Sequence, residues 1–142
     1  FALTARADRI DRLATGRLAI IDYKTGATPP NKEVYAGYAP QLPLEAAMAR
    51  AGAFENISAA DVEALCYWRM HGRDDGGKAT ALTGDIVAVA DTARAGLERL
   101  IATFDDPATG YAARPNPELA PAYSDYLHLA RVKEWSAAED EE

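Results

Sequence analysis

The stretch Ile20-Ile21-Asp22-Tyr23-Lys24-Thr25-Gly26 decides how the chain reads. It begins as an apolar strand and ends in a carboxylate and an amine. On a strand, residues two apart point the same way. Asp22 and Lys24 therefore share a face with Leu18 and Ile20, while Ala19, Ile21 and Tyr23 line the other. Apolar residues on both faces mark a central strand covered on both sides. Charges at the end of such a strand carry a desolvation cost, which a metal ion, a substrate or an ion pair must offset.

Working outward, Phe1 to Leu13 reads as a strand, Ala14-Thr15-Gly16 as a short turn, and Arg17 to Lys24 as the return. With Leu13 opposite Arg17, Asp8 falls opposite Asp22 and Arg6 opposite Lys24. Directly opposed residues point to the same side, with Cβ atoms ~5 Å apart. Two carboxylates so placed repel unless a cation sits between them. Mg²⁺ takes few protein carboxylates and keeps waters for chemistry. Asp8, Asp22 and Lys24 thus read as a metal-dependent hydrolytic site, with Asp8 and Asp22 as the metal ligands. Asp11 falls on the opposite face of its strand. A bulge in the hairpin would shift this register.

Composition bounds the partners. The chain has 142 residues, enough for one domain with a real core. Its net charge of −7 argues against a surface that grips nucleic acid by charge alone. Part of that excess lies in Glu139-Asp140-Glu141-Glu142, which reads as a disordered tail over 137–142 behind a domain of 1–136. Cys66 is the single cysteine, so neither a disulfide framework nor a four-cysteine metal site is available. No run approaches the length of a membrane span and no signal peptide is visible. These features fit the cytoplasm.

Downstream, Ala27 to Pro30 reads as a loop and Asn31 to Tyr38 as irregular. A helix follows, with Pro40 in its first turn and Gly52 as its stop. Gln41 and Glu45 share one face of it, and Leu44 and Met48 share the neighbouring face, assigned to the core. Glu63 to His71 reads as a strand inside the sheet beside the hairpin, with Cys66 a packed core residue rather than a nucleophile. Arg73 to Lys78 is a glycine-rich turn leading to a short edge strand over Lys78 to Thr83. Gly84-Asp85 opens a long helix whose Ile86, Val89, Ala93, Leu97, Leu100, Ile101 and Phe104 recur at helical spacing. The loop beyond it carries Arg114, a candidate phosphate contact. A last helix is expected from Ser124 to Trp135, packing through Tyr123, Tyr126 and Trp135.

Three segments carry a family resemblance. Ala5-Arg6-Ala7-Asp8-Arg9-Ile10-Asp11, Ile21-Asp22-Tyr23-Lys24-Thr25-Gly26 and Gln41-Leu42-Pro43-Leu44-Glu45 resemble, in order and spacing, the motifs of the RecB-like branch of the PD-(D/E)XK nucleases. More narrowly, they resemble the C-terminal nuclease domain of the AddB type of subunit in bacterial AddAB helicase–nucleases. The chain departs from that pattern at Ala5, where the family usually has Gly, and at Glu45, where it more often has Tyr.

The resemblance implies an α/β, restriction-endonuclease-like core: a small mixed sheet with helices on both sides. It implies a metal-dependent DNA nuclease, an exonuclease of a helicase–nuclease complex acting in double-strand break repair and recombination. Asp8 and Asp22 would bind Mg²⁺ or Mn²⁺, Lys24 would orient water or stabilise the charge of the transition state, and Gln41 would reach back to the metal site or the DNA backbone. The implied partners are DNA and the helicase subunit of an AddAB complex, with no membrane, in the bacterial cytoplasm. The family usually places an acidic residue or His on a helix before the first strand, so the chain reads as an N-terminally truncated fragment. Many AddB-type nucleases hold an iron–sulfur cluster through four cysteines; with Cys66 alone none is expected here, and aromatic packing of the last helix against Leu97 and Phe104 is expected instead. The alternatives are a non-catalytic interaction module of the same complex and an enzyme acting on another phosphodiester.

Overall fold

Strand β2 (Leu18–Lys24) lies inside a four-stranded sheet of order β1-β2-β3-β4. It pairs antiparallel with β1 (Arg9–Arg12) and parallel with β3 (Val62–Arg69), and β4 (Lys78–Ala81) closes the other edge antiparallel to β3. These elements come from a computed structural model that describes residues 1–72, 76–112 and 129. The two inner strands are the two whose sequences are apolar on both faces, as burial on both sides requires. The architecture is α/β, a small mixed sheet flanked by helices.

The core sits on the Leu18–Ile20 face of the sheet. Leu18 and Ile20 of β2 and Val62, Leu65 and Tyr67 of β3 are buried there. Leu42, Ala46 and Ala49 from α2 (Gln41–Arg50) and Ile86 and Ala90 from α3 (Ile86–Phe104) pack onto them. Of the helical cover expected on both sides, the described residues thus supply one side. The other face carries Ile21, Tyr23, Cys66 and Trp68, with the Tyr23 and Trp68 rings 5.9 Å apart. Cys66 is half-buried there, outside the main core.

The hairpin turn folds as its composition requires. The Leu13 amide donates to the Arg17 carbonyl at 2.8 Å, and Gly16 supplies a φ of 79°. That is a three-residue loop closing on a left-handed glycine. The long first strand is shorter than expected, however. The ladder with β2 covers only Arg9 to Arg12, and Phe1 is 88 % exposed. Ladder bonds alternate from the Leu13–Arg17 pair. The next bonded partner after Arg9–Ile21 would be Ala7–Tyr23, yet there the Asp8 carboxylate accepts the Tyr23 N–H at 2.9 Å. A side chain replaces the backbone partner, and the chain leaves the sheet at that point.

Helix α1 (Asn31–Tyr35) forms where irregular chain was expected. Pro30 precedes it, and the Pro30 carbonyl accepts from the Glu33 and Val34 amides, while Val34 is buried against the core. Gly37 at φ 82° ends it. The core face of α2 also differs from expectation. Leu42, Glu45, Ala46 and Ala49 point inward, and Leu44 and Met48 are half-buried. Alanines at the contact let the helix approach the sheet closely, so the larger Leu44 and Met48 are displaced to the flank.

Asp85 caps α3, its carboxylate accepting from the Val87 and Ala88 amides at 3.0 and 3.2 Å. Asp85→Ala is expected to cost ~1 kcal/mol of unfolding free energy, read by urea denaturation. The apolar stripe of α3 is covered mainly at its start: Ile86 and Ala90 are buried, while Leu100 is 57 % and Phe104 38 % exposed. Phe104 stacks on Tyr111, with ring centroids 4.6 Å apart. Residues 73–75 of the glycine-rich turn, Arg114, the expected last helix with Tyr123, Tyr126 and Trp135, and the 137–142 tail lie outside the described residues.

Candidate active site

The register of the hairpin brings the charged residues to one end of the sheet. Arg9 pairs with Ile21 and Ile10 with Ile20. The ladder ends at Arg9, so the expected Asp8–Asp22 pair is not formed, and Asp8 instead accepts the Tyr23 N–H beside Asp22. On the other side of β2, a bulge after Leu18 shifts the parallel register from Leu18–Val62 to Ala19–Ala64. The shift reverses the parity of β3, so Asp22 stands beside Tyr67 rather than Cys66.

Asp22 is 2 % exposed, and the Lys24 Nζ lies 2.8 Å from its Oδ2. The Lys24 Nζ also donates to Gln41 Oε1 at 3.3 Å, and Gln41 Nε2 donates to Glu45 Oε1 at 3.2 Å. A continuous polar chain thus runs Asp22–Lys24–Gln41–Glu45 from the end of β2 to the first turns of α2. Pro40 precedes α2, and Leu42 and Ala46 anchor its start in the core, which fixes where Gln41 and Glu45 project. The Lys24 ammonium lies 5.9 Å from the centre of the Tyr67 ring, which forms one wall.

Burial raises the Glu45 carboxyl above the usual carboxylate range; the Gln41 hydrogen bond opposes this, and the charges of Asp22 and Asp8 add to it. Burial, followed by the charges of Asp22 and Glu45, pushes the Tyr67 hydroxyl up to about 12. A raised folded-state value means that Tyr67 contributes fully below the unfolded value near 10 and loses that contribution as pH rises to about 12. Tyr67→Phe is therefore expected to remove a tyrosinate step at about 12 from an ultraviolet titration of the folded protein and to lessen its loss of stability between those pH values.

The residues singled out in sequence divide clearly. Asp22, Lys24 and Gln41 meet in one chain of contacts. Asp8 is exposed at the rim, holds the Tyr23 amide, and lies near enough for its charge to act on Glu45. Asp11 is held by Arg9 at 2.9 Å, and that Arg9 lies over Trp68 on the other face, so Asp11 is no part of the site. Two residues gain importance. Glu45 was legible only as a helical neighbour of Gln41, at the position where the family pattern departs. Tyr67 gave no signal, because both faces of its strand are apolar.

The donor set suits a hard divalent cation. Among the described residues, Asp22 Oδ2 and Glu45 Oε2 are both buried without a hydrogen-bond partner; the Lys24 Nζ is at ion-pair distance from the former but off a hydrogen-bonding line. Buried carboxylate oxygens in that condition are costly unless a cation meets them. Among the described residues no three Asp, Glu, His or Cys side chains stand close enough to enclose an ion. One or two carboxylates with retained waters are the usual Mg²⁺ arrangement. A cavity of about 750 Å³ lies elsewhere, between α1, α2 and α3, and is lined by none of these residues.

Comparison with known proteins agrees with this geometry. The chain is similar to an uncharacterised protein of Rickettsia typhi, 38 % identical over 69 residues, or 48 % of this chain and 8 % of that protein. It is similar to an uncharacterised protein of Rickettsia conorii, 35 % identical over 68 residues, or 44 % of this chain and 8 % of that protein. The matched part is thus a small fraction of the length of these relatives. No solved structure matches the chain. Among the described residues, no helix is long and apolar enough to cross a membrane. The PD-(D/E)XK nuclease superfamily matches residues 1–123. With most of the chain matched, and with Asp22 and Lys24 paired at the end of a central strand, the chain belongs to the PD-(D/E)XK nuclease superfamily.

Proposed function

We propose that the chain is the nuclease domain of a metal-dependent deoxyribonuclease, an exonuclease of AddAB type that works with a helicase subunit on broken DNA ends in the bacterial cytoplasm. The observation that carries the reading is the buried Asp22 carboxylate, whose Oδ2 lies 2.8 Å from the Lys24 ammonium and accepts no hydrogen bond among the described residues. Asp8 and Asp22 would hold Mg²⁺ or Mn²⁺. When bound, such an ion polarises the scissile phosphate and acidifies a water.

The other roles belong to the chain's own side chains. An ammonium has three N–H donors. Lys24 directs its charge to Asp22 and one hydrogen bond to Gln41, so a further N–H is available to a water or a non-bridging phosphate oxygen. Gln41 holds the lysine from the helix side, which limits its rotamers. A positive group held in a poorly hydrated site stabilises the developing charge of phosphoryl transfer more than it would in water.

The net charge of −7 predicts that DNA binding by this domain is weak and falls steeply as salt rises, so that grip comes from other parts of the complex. Fluorescence anisotropy across a salt series checks this. Tight binding at physiological salt, unaffected by Lys24→Ala, would sink it. The function is tested with the full-length protein on end-labelled linear DNA and on closed circular DNA, with Mn²⁺ or with chelator. Metal-dependent loss of the linear substrate alone is expected. If neither substrate is cut and association with the helicase subunit persists, the domain is an interaction module instead.

A further inference from the structure

We propose that Glu45 is a further cation-binding residue of this site, contributing Oε2 beside Asp22 Oδ2. The inference rests on the reading of Asp8, Asp22 and Lys24 as a metal centre.

Glu45 is 3 % exposed, on the face of α2 that Leu42, Ala46 and Ala49 bury in the core. One of its oxygens accepts from Gln41, and the other has no hydrogen-bond partner among the described residues. A helix can carry a glutamate on its outer face at almost no cost. One turned inward, with half its carboxylate unsatisfied, is expensive unless something meets it. Asp22 Oδ2 likewise accepts no hydrogen bond among the described residues, though the Lys24 ammonium stands 2.8 Å from it. The contacts Asp22–Lys24–Gln41–Glu45 link the two buried carboxylates, and the charge of Asp22 acts on Glu45.

Charge counting makes the point sharper. Among the described residues, Lys24 is the one cationic side chain that acts on Glu45, set against Asp22, Asp8 and Glu45 itself. The ionised cluster is therefore short of positive charge, and a divalent cation balances it. The Glu45 carboxylate adds a hard oxygen donor of the kind Mg²⁺ and Mn²⁺ prefer.

The test is Mn²⁺ binding by the full-length protein, measured by calorimetry without DNA, for wild type, Asp22→Asn, Glu45→Gln and Glu45→Asp. The component lost in Asp22→Asn defines the site. Glu45→Gln keeps the size and the Gln41 contact while removing the charge, so metal-free thermal unfolding should be unchanged or shifted upward. Its Mn²⁺ affinity should fall by about a hundredfold or more, at or beyond the top of the ~10–100-fold loss typical for a residue that only supports a ligand. Glu45→Asp keeps the charge but draws the carboxylate back by one methylene, and should weaken binding by a smaller factor. If both variants bind Mn²⁺ as wild type does while Asp22→Asn does not, Glu45 is a neutral buried acid. The proposal then falls and the metal centre stands. If wild type shows no Mn²⁺ binding sensitive to Asp22→Asn, both the metal centre and the role of Glu45 are overturned.

Discussion

Lys24→Ala is expected to reduce metal-dependent DNA cleavage by ~10²–10³-fold, the usual loss when one positioned donor to a developing charge is removed. A second effect accompanies it. Asp22 is 2 % exposed, and its counter-charge would be gone. Breaking a buried ion pair from one side costs ~3–5 kcal/mol, because the remaining charge stays buried. The lower end of that range applies, since the Lys24 side chain is itself 30 % exposed. Adding Asn at position 22 removes the stranded charge, so the Asp22→Asn, Lys24→Ala double variant should regain much of the lost stability while remaining inactive. Denaturant unfolding and cleavage of labelled DNA, run on the four proteins of this cycle, separate the two effects. Wild-type cleavage by Lys24→Ala would remove the lysine from the chemistry.

Leu42→Ala is expected to be the most damaging change outside the charged cluster. Leu42 is 0 % exposed and lies between Gln41 and the rest of the core face of α2. Truncating a fully buried leucine costs ~2–5 kcal/mol, through lost transfer energy and the cavity left behind. The same anchor sets where Gln41 and Glu45 stand, so cleavage should fall beyond the loss of folded protein, with the deficit visible in kcat at temperatures where the variant is fully folded. Leu44→Ala is the control. Leu44 is only half-buried, so its cost should be clearly smaller. Equal destabilisation by the two would mean that α2 is rotated from the orientation described here.

The Leu42 and Leu44 pair shows where periodicity misleads. A search for large apolar residues at helical spacing finds Leu44 and Met48. The face that packs is Leu42, Glu45, Ala46 and Ala49. Alanine carries little hydrophobic signal, yet it lets a helix sit close to a sheet. A buried glutamate runs against every compositional expectation. Rules of local consistency fail most often where a residue serves a site rather than the fold, and Glu45 is the residue of α2 that breaks them.

Much of the site was nonetheless legible. Strand parity alone puts Asp22 and Lys24 on one face, since side chains alternate on any strand. The Ala14-Thr15-Gly16 turn fixes the Leu13–Arg17 pairing, and the register that follows sends Asp11 to the opposite face with Arg9 and Trp68. These are local constraints, carried by neighbours within a few residues and one tight turn. The expected pairing of Asp8 with Asp22 is not made, because the ladder ends at Arg9 and the Asp8 carboxylate accepts the Tyr23 N–H instead. The extent of β1 was not legible, because it depends on whether the Tyr23 amide is taken by a backbone carbonyl or by the Asp8 side chain. Nor was the face of β3. Its residues are apolar on both sides, so nothing in their order says whether Tyr67 or Cys66 accompanies Asp22. The bulge between Leu18 and Ala19 in the parallel ladder settles that, through contacts between strands more than forty residues apart. Pairings of that range answer to packing of the whole sheet against α2 and α3, and no local pattern encodes them.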